Sequence, residues 1–278
     1  MTKKVETIAE LRAQVMDWRE AGDAIALVPT MGALHEGHMA LLSAAKAKAK
    51  RTIVSVFVNP TQFGPGEDYE KYARQIEKDF ALLESNGCDL LYAPQVKEMY
   101  PDGCVTQINP GPMATILEGA FRPIHFFGVA TVVTKLFLQA MPDYACFGEK
   151  DYQQLLVIQR FTHDLDFPVE IIPVPIVREA DGLARSSRNV YLSPEERQKA
   201  LALPQTLLVI AHGLRQGQDA QEVLAAGRAT IEAAGFAVDY LKLCDPETLE
   251  SLSVFKGKGR LLVAAKIGTT RLIDNMAV

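Results

Sequence analysis

The sequence predicts an α/β fold: a doubly wound parallel sheet with a smaller α+β domain at the C-terminal end. Three observations predict it. Short apolar or β-branched runs alternate with helical patterns along the first 177 residues, the signature of βαβ units. The runs end in Gly/Pro loops, where open α/β sheets hold their ligands. Near Arg178 the character changes to long helices followed by two strands.

The chain has 278 residues, 48% hydrophobic and 23% charged, with a net charge of −5. That length supports one large core or two domains. No apolar run reaches the ~18 residues of a membrane span, and Met1 to Glu10 has no signal-peptide core, so a cytoplasmic location is expected. The acidic balance argues against a nucleic-acid binder. Cys88, Cys104, Cys146 and Cys244 are far apart with no C-x-x-C pair. Buried thiols are expected, not a zinc site or disulfides.

Taken in order, Thr7 to Gly22 reads as a helix, with Leu11, Val15 and Trp18 on one face. Ala24 to Val28 reads as a buried strand ended by Pro29. Then comes Met31-Gly32-Ala33-Leu34-His35-Glu36-Gly37-His38, with a helix from Met39 to Lys50. Gly32 and Gly37 are expected to shape a tight turn. Free N–H groups at the helix start would form an anion site. His35 and His38, three apart, lie on one face and both can donate to phosphate.

Thr52 to Val58 is a β-branched strand running into Asn59-Pro60-Thr61-Gln62-Phe63-Gly64. Asn59 and Gln62 fall where a polar substrate would lie. Asp68 to Asn86 reads as a helix with Tyr69, Tyr72, Ile76, Phe80 and Leu83 on its apolar face. Asp89 to Ala93 is a strand, and Pro94 to Arg122 is irregular. Arg122 and His125 open a long apolar helix over 129–141 and place anion-binding groups at its start.

Asp143 to Phe147 is a strand leading to Gly148-Glu149-Lys150-Asp151, with Gln154 one turn further. Lys150 is a point-charge phosphate binder. Val169 to Val177 is the next strand. In Arg185-Ser186-Ser187-Arg188 two guanidiniums bracket two hydroxyls, a triphosphate grip if the loop closes. Ser193-Pro194-Glu195-Glu196 is a helix start. A helix to about Gly217, another to about Gly235, and strands near 238–243 and 259–266 follow.

The His35-Glu36-Gly37-His38 spacing after a strand resembles the nucleotide signature of HIGH-type nucleotidyltransferases. Six segments in order (P-T-M-G-A-L-H-E-G-H, F-V-N-P-T-Q-F, L-E-G-A-F-R-P-I-H-F, F-G-E-K-D-Y-Q-Q, D-G-L-A-R-S-S-R-N-V-Y-L-S and L-V-A-A-K-I-G-T-T-R-L-I-D-N) resemble the pantoate–β-alanine ligase family over Thr7 to Asn275. The resemblance implies a Rossmann-like domain over 1–177 and a C-terminal lid over 178–278, in a homodimer. It implies a reaction in which ATP, with Mg2+, activates pantoate as an adenylate that β-alanine then attacks. It places ATP on Met31 to His38, Gly148 to Asp151, Val177 and Arg185 to Arg188. Gln62 and Gln154 are matched to substrate, with Asn59, Tyr72, Arg122 and His125 in the same cleft. His38, His35, Lys150 and Arg188 are the catalytic set. Protein ligands of the metal are not assigned; Asp79 is placed as its neighbour. Ile124, Phe127 and Arg185 depart from the family's usual residues. The alternative is another HIGH-type nucleotidyltransferase acting on a different small acid.

Overall fold

A computed structural model describes residues 1–278. The chain divides into two compact units, one of residues 1–149 and 154–175, the other of 150–153 and 176–278.

The first unit begins with β1 (Lys3–Val5), α1 (Ile8–Glu20), β2 (Ile25–Thr30), α2 (Glu36–Lys48) and β3 (Arg51–Val56). It continues through α3 (Ile76–Ser85), β4 (Leu90–Tyr92), two single turns α4 (Val96–Met99) and α5 (Glu118–Phe121), and α6 (His125–Ala140). It closes with β5 (Tyr144–Gly148), α7 (Tyr152–Asp164, whose first two residues group with the second unit) and β6 (Glu170–Val174). The six strands are all parallel, in the order β1-β4-β3-β2-β5-β6. The central strands are buried on both faces, as a doubly wound sheet requires. Ala26, Val28, Val54 and Leu91 pack with Leu42 and Ala45 of α2 and Leu83 of α3. Tyr92 turns its hydroxyl to Gln139 of α6 on the other face. Strand order reverses between β2 and β5, so the crevice beyond their C-terminal ends is the expected ligand position.

Several boundaries differ from the sequence reading. Pro29 lies inside β2, paired with Ser55. The carbonyls of Ala24 and Thr30 accept from Arg51 and Phe57 on the β3 side, whereas that of Ile25 accepts from Asp143 beside β5. Odd-numbered positions therefore face β5, and pairing with β5 stops at Leu27. Pro29 has no N–H to lose there. The helix expected from Asp68 begins only at Ile76. Before it, Tyr69 and Tyr72 pack edge-on against Phe63, which holds this stretch as a loop. All four cysteines are free, but Cys104 is exposed instead of buried.

In the second unit α8 (Pro194–Lys199), α9 (Ala202–Arg215) and α10 (Ala220–Ala233) precede β7 (Ala237–Cys244), β8 (Arg260–Ile267) and β9 (Thr270–Ala277). Ser193 caps α8 in a reciprocal box with Glu196, as its sequence predicts. The expected single helix breaks near Leu201, giving α8 and α9. The strands form an antiparallel β7-β8-β9 sheet. β9 has no counterpart in the sequence reading, because the Gly268-Thr269 turn is short and the strand alternates weakly. Leu207, Ile210, Leu214 and Ile231 of the helices pack with Leu241, Leu243, Leu261 and Val263 of the sheet.

Candidate active site

β2 ends at the loop that carries His35 and His38. Gly32 has φ +87° and Ala33 φ +52°, so the backbone reverses there, in the left-handed region that glycine accepts at no cost. Gly37, by contrast, is helical and lies within α2. The amides of Gly32, Ala33, Leu34, His35 and Gly37 have acceptors within the first unit, so the expectation of free N–H groups does not hold for them. Gly32 N–H donates to Thr30 Oγ1 at 3.2 Å. Ala33 and Leu34 N–H donate to the two carboxylate oxygens of Asp79, at 3.0 and 2.9 Å. His35 N–H donates to His38 Nδ1 at 3.3 Å, and Gly37 N–H to His35 Nδ1 at 3.1 Å.

Two histidines thus form the capping box of α2, with ring centroids 4.2 Å apart. The arrangement has a chemical consequence. An Nδ1 that accepts from a backbone N–H carries no proton, so each neutral ring holds its proton on Nε2. In their neutral forms both side chains are therefore donors at Nε2.

Asp79 is 1% exposed. Burial raises its pKa against the pull of the two amides. With each oxygen accepting from a loop amide, it braces the loop. Sequence reasoning passes over that role. The available signal is an acid between Ile76 and Leu83 on the apolar face of a helix.

β3 ends in the second element of the site. Asn59 caps the 3-10 turn Pro60–Gln62, and Asn59 and Gln62 are both buried. The main-chain oxygen of Gln62 accepts from His125 Nδ1 at 3.1 Å and from Arg122 at 3.4 Å. Arg122 also pairs with Glu67 at 2.6 Å and Glu118 at 3.5 Å. The two groups expected to face an anion are therefore turned to the Gln62 main chain and to carboxylates. Burial first, and then the Arg122 charge, push His125 down to about 4, so it is a neutral Nδ1–H donor. Tyr72 is buried against Phe63, and Gln154 is half-buried on α7. Ile124 is exposed beside the start of α6, and Phe127 is half-buried within it.

In the second unit, Lys150 lies 3.8 Å from Asp151. Its main-chain oxygen accepts from Asn275 Nδ2 at 2.9 Å. Asn275 Oδ1 accepts from Arg260 at 2.8 Å, and that guanidinium stacks 3.8 Å above the Tyr152 ring. The Arg178–Asn189 loop is tied at its root by a bidentate pair from Arg178 to Asp274, 2.8 and 2.9 Å. Within it Arg185 N–H donates to the Val177 carbonyl at 2.9 Å, and its guanidinium is 3.5 Å from Glu179. Ser186 accepts from Arg188 N–H at 3.2 Å and caps the 3-10 turn from Ser187 to Tyr191.

A doubly wound sheet whose central strand ends in a paired-histidine helix start defines a nucleotide-using α/β enzyme. The family model for pantoate–β-alanine ligase matches residues 3–277. A pantothenate synthetase from Paramagnetospirillum magneticum is 53% identical, covering 99% of this chain and 97% of that one. The crystal structure of the pantothenate synthetase from Thermus thermophilus superimposes with a TM-score of 0.94 at 51% identity, covering 99% of this chain and 98% of that one. A pantoate–β-alanine ligase from Francisella tularensis, complexed with β-γ ATP and β-alanine, gives 0.81 at 35% identity over 99% and 97% of the two chains. The chain belongs to the pantoate–β-alanine ligase family.

Proposed function

We propose that the loop after β2 and the turn after β3 carry the two half-reactions of this ligase. The chain condenses pantoate with β-alanine at the expense of ATP, through pantoyl-adenylate, releasing pyrophosphate and AMP. The observation that supports these residue roles is the paired-histidine cap, in which both rings accept at Nδ1 and so keep the proton of the neutral form on Nε2.

In the first step the pantoate carboxylate attacks the α-phosphorus in line as pyrophosphate leaves. No covalent enzyme residue is needed, only positioning and charge stabilisation. His38 and His35 donate to the phosphate oxygens. Lys150 and Arg188 supply positive charge for the phosphates. The segments 31–38, 148–151 and 185–188, with Val177, are assigned to ATP. Gln62 and Gln154 are assigned to pantoate and β-alanine, whose hydroxyls and carboxylates need donors and acceptors. Asn59, Arg122 and His125 hold the Gln62 turn in place, and Tyr72 packs beside it. In the second step the β-alanine amine attacks the acyl carbon and AMP leaves.

Mg2+ is proposed to arrive with the triphosphate, since magnesium is commonly held by phosphates and water. The side chains do not form a protein cage for it: no group of three or more His, Cys, Asp or Glu is placed to hold an ion. A homodimer, a cytoplasmic location and a lid role for residues 178–278 are proposed from the family resemblance. No helix is long and apolar enough to cross a membrane.

The test is pantoate-dependent exchange of labelled pyrophosphate into ATP, with magnesium and without β-alanine. Exchange supports the adenylate half-reaction with pantoate as the acid. Exchange only with another carboxylic acid would favour the alternative substrate. No exchange with any acid, ATP binding being intact, would sink the reading.

A further inference from the structure

The turn that carries Gln62 contains a hydrogen-bond chain with a single allowed polarity. Asn59 Oδ1 accepts from Thr61 N–H at 3.3 Å, from the Thr61 hydroxyl at 2.9 Å and from the Tyr100 hydroxyl at 2.9 Å. Asn59 Nδ2 donates to the Gly128 main-chain oxygen at 3.1 Å and to Gln62 Oε1 at 3.0 Å. A main-chain N–H only donates and a main-chain carbonyl only accepts, so the Asn59 amide has one orientation. The orientation of Gln62 follows from it. Its oxygen is used by Asn59, and its Nε2 is turned the other way, 3.3 Å from Met31 Sδ. Thioether sulfur is a weak acceptor, and a substrate oxygen would replace it at a gain.

Tyr100 completes this chain from outside the turn, just beyond α4. Its ring is wedged between Phe57, with centroids 6.2 Å apart, and the Lys135 ammonium at 5.8 Å. Burial raises the pKa of its hydroxyl and keeps it a donor.

We propose that Tyr100 is a positioning residue for the acid substrate. The main-chain partners of Asn59 set which end of its amide donates, and Tyr100 anchors that amide in place, so that Gln62 presents its N–H steadily to an oxygen of pantoate. A Gln62 free to turn over would offer either a donor or an acceptor and would discriminate poorly among hydroxy acids. With the chain intact it offers only the donor. The inference rests on the assignment of Gln62 to substrate.

The experiment is steady-state kinetics on Tyr100→Phe, Gln62→Ala and the double variant, with melting temperatures and ATP KM measured alongside. Phenylalanine keeps the ring and removes one donor. The expected result is a rise of about 3- to 10-fold in pantoate KM, the size of one net hydrogen bond. ATP KM should stay within twofold. Discrimination against the mono-deoxy analogues of pantoate should shrink. In the Gln62→Ala background the same substitution should change pantoate KM less than twofold, because the amide it orients is gone. Thr61→Val removes the other hydroxyl donor to Asn59, one that also lies 3.3 Å from the Tyr100 hydroxyl, and should act in the same direction, giving a second reading if Tyr100→Phe lowers the melting temperature.

An equal effect of Tyr100→Phe with and without Gln62 would overturn the proposal. So would an unchanged pantoate KM in both Tyr100→Phe and Thr61→Val while Gln62→Ala raises it, and Gln62 would then keep its substrate role. An unchanged pantoate KM in Gln62→Ala would remove the assignment itself, and the proposal with it.

Discussion

The side-chain amide of Asn275 donates to the main-chain oxygen of Lys150 at 2.9 Å, joining positions 125 residues apart. Arg260, stacked on Tyr152, fixes the other end of that amide. The contact holds the backbone from which the lysine projects. Asn275→Ala is therefore expected to lower turnover roughly 10- to 100-fold, as small misplacements of a catalytic group do. The far-UV spectrum should not change. The check is kcat in Asn275→Ala, Lys150→Ala and the double variant. Fully additive losses would show that Asn275 does not act through Lys150.

His38→Ala should slow pyrophosphate exchange by roughly 10²–10³-fold, the range for a lost transition-state donor. ATP binding measured by calorimetry should weaken far less. An unimpaired rate would remove His38 from the catalytic set.

Asp79→Ala leaves the N–H groups of Ala33 and Leu34 without their acceptor in a buried position. Urea unfolding should report a loss of about 2–4 kcal/mol, and ATP KM should rise as the loop loosens. A stability loss with unchanged ATP KM would separate the brace from the nucleotide site.

Gly128 permits a close backbone approach against the turn that carries Gln62. A Cβ there would lie 2.5 Å from the main-chain carbon and oxygen of Thr61 and 2.6 Å from the nitrogen of Gln62. These are backbone atoms that cannot rotate away. Gly128→Ala should cost about 1–3 kcal/mol of stability and raise pantoate KM by displacing the turn. Thermal melts and kinetics at saturating ATP provide the test.

His125 gives a pH signature of defined sign. Its folded pKa, near 4, lies below the ordinary 6.5 because the ring is buried and faces Arg122, with Glu118 and Glu67 pulling weakly the other way. Between those values the unfolded chain holds a proton that the folded chain does not. Stability should therefore fall as pH drops from about 6.5 to 4, by about 3 kcal/mol over the full window. Asp79, raised by burial, contributes with the opposite slope at the acid end. Denaturation of His125→Gln against the parent across pH 4–7 isolates the histidine: the variant should show the shallower slope.

Most of the sheet is legible in the sequence because parallel strands buried on both faces read as continuous β-branched runs, as Thr52 to Val56 does. β1 is too short to stand out, and β9 mixes Asp274 and Asn275 into a strand pattern. Both polar residues are buried, and their roles are set by Arg178, Arg260 and Lys150, which no local pattern reveals. Type and spacing single out His35, His38 and Gln62. Their hydrogen-bonding roles stay hidden, because those depend on which main-chain groups the fold brings to each nitrogen. Arg122 and His125 look like anion ligands for the same reason: spacing shows reach, and only the partners show what is already satisfied.

Lys150 to Gln153 groups with the second unit although the chain on both sides belongs to the first. On the ribosome this tetrapeptide emerges long before the strands that hold it. At ordinary elongation speeds of 5–20 residues per second, the 125 residues separating Lys150 from Asn275 mean a delay of roughly 6 to 25 s. During that interval the Lys150 main-chain oxygen lacks the Asn275 amide that holds it in the folded chain. Synthesis of β9, which carries Asn275, must therefore precede the hydrogen bond that holds the Lys150 main chain. A chain that stops within β8 would lack Asn275 and leave the Lys150 main-chain oxygen without this partner.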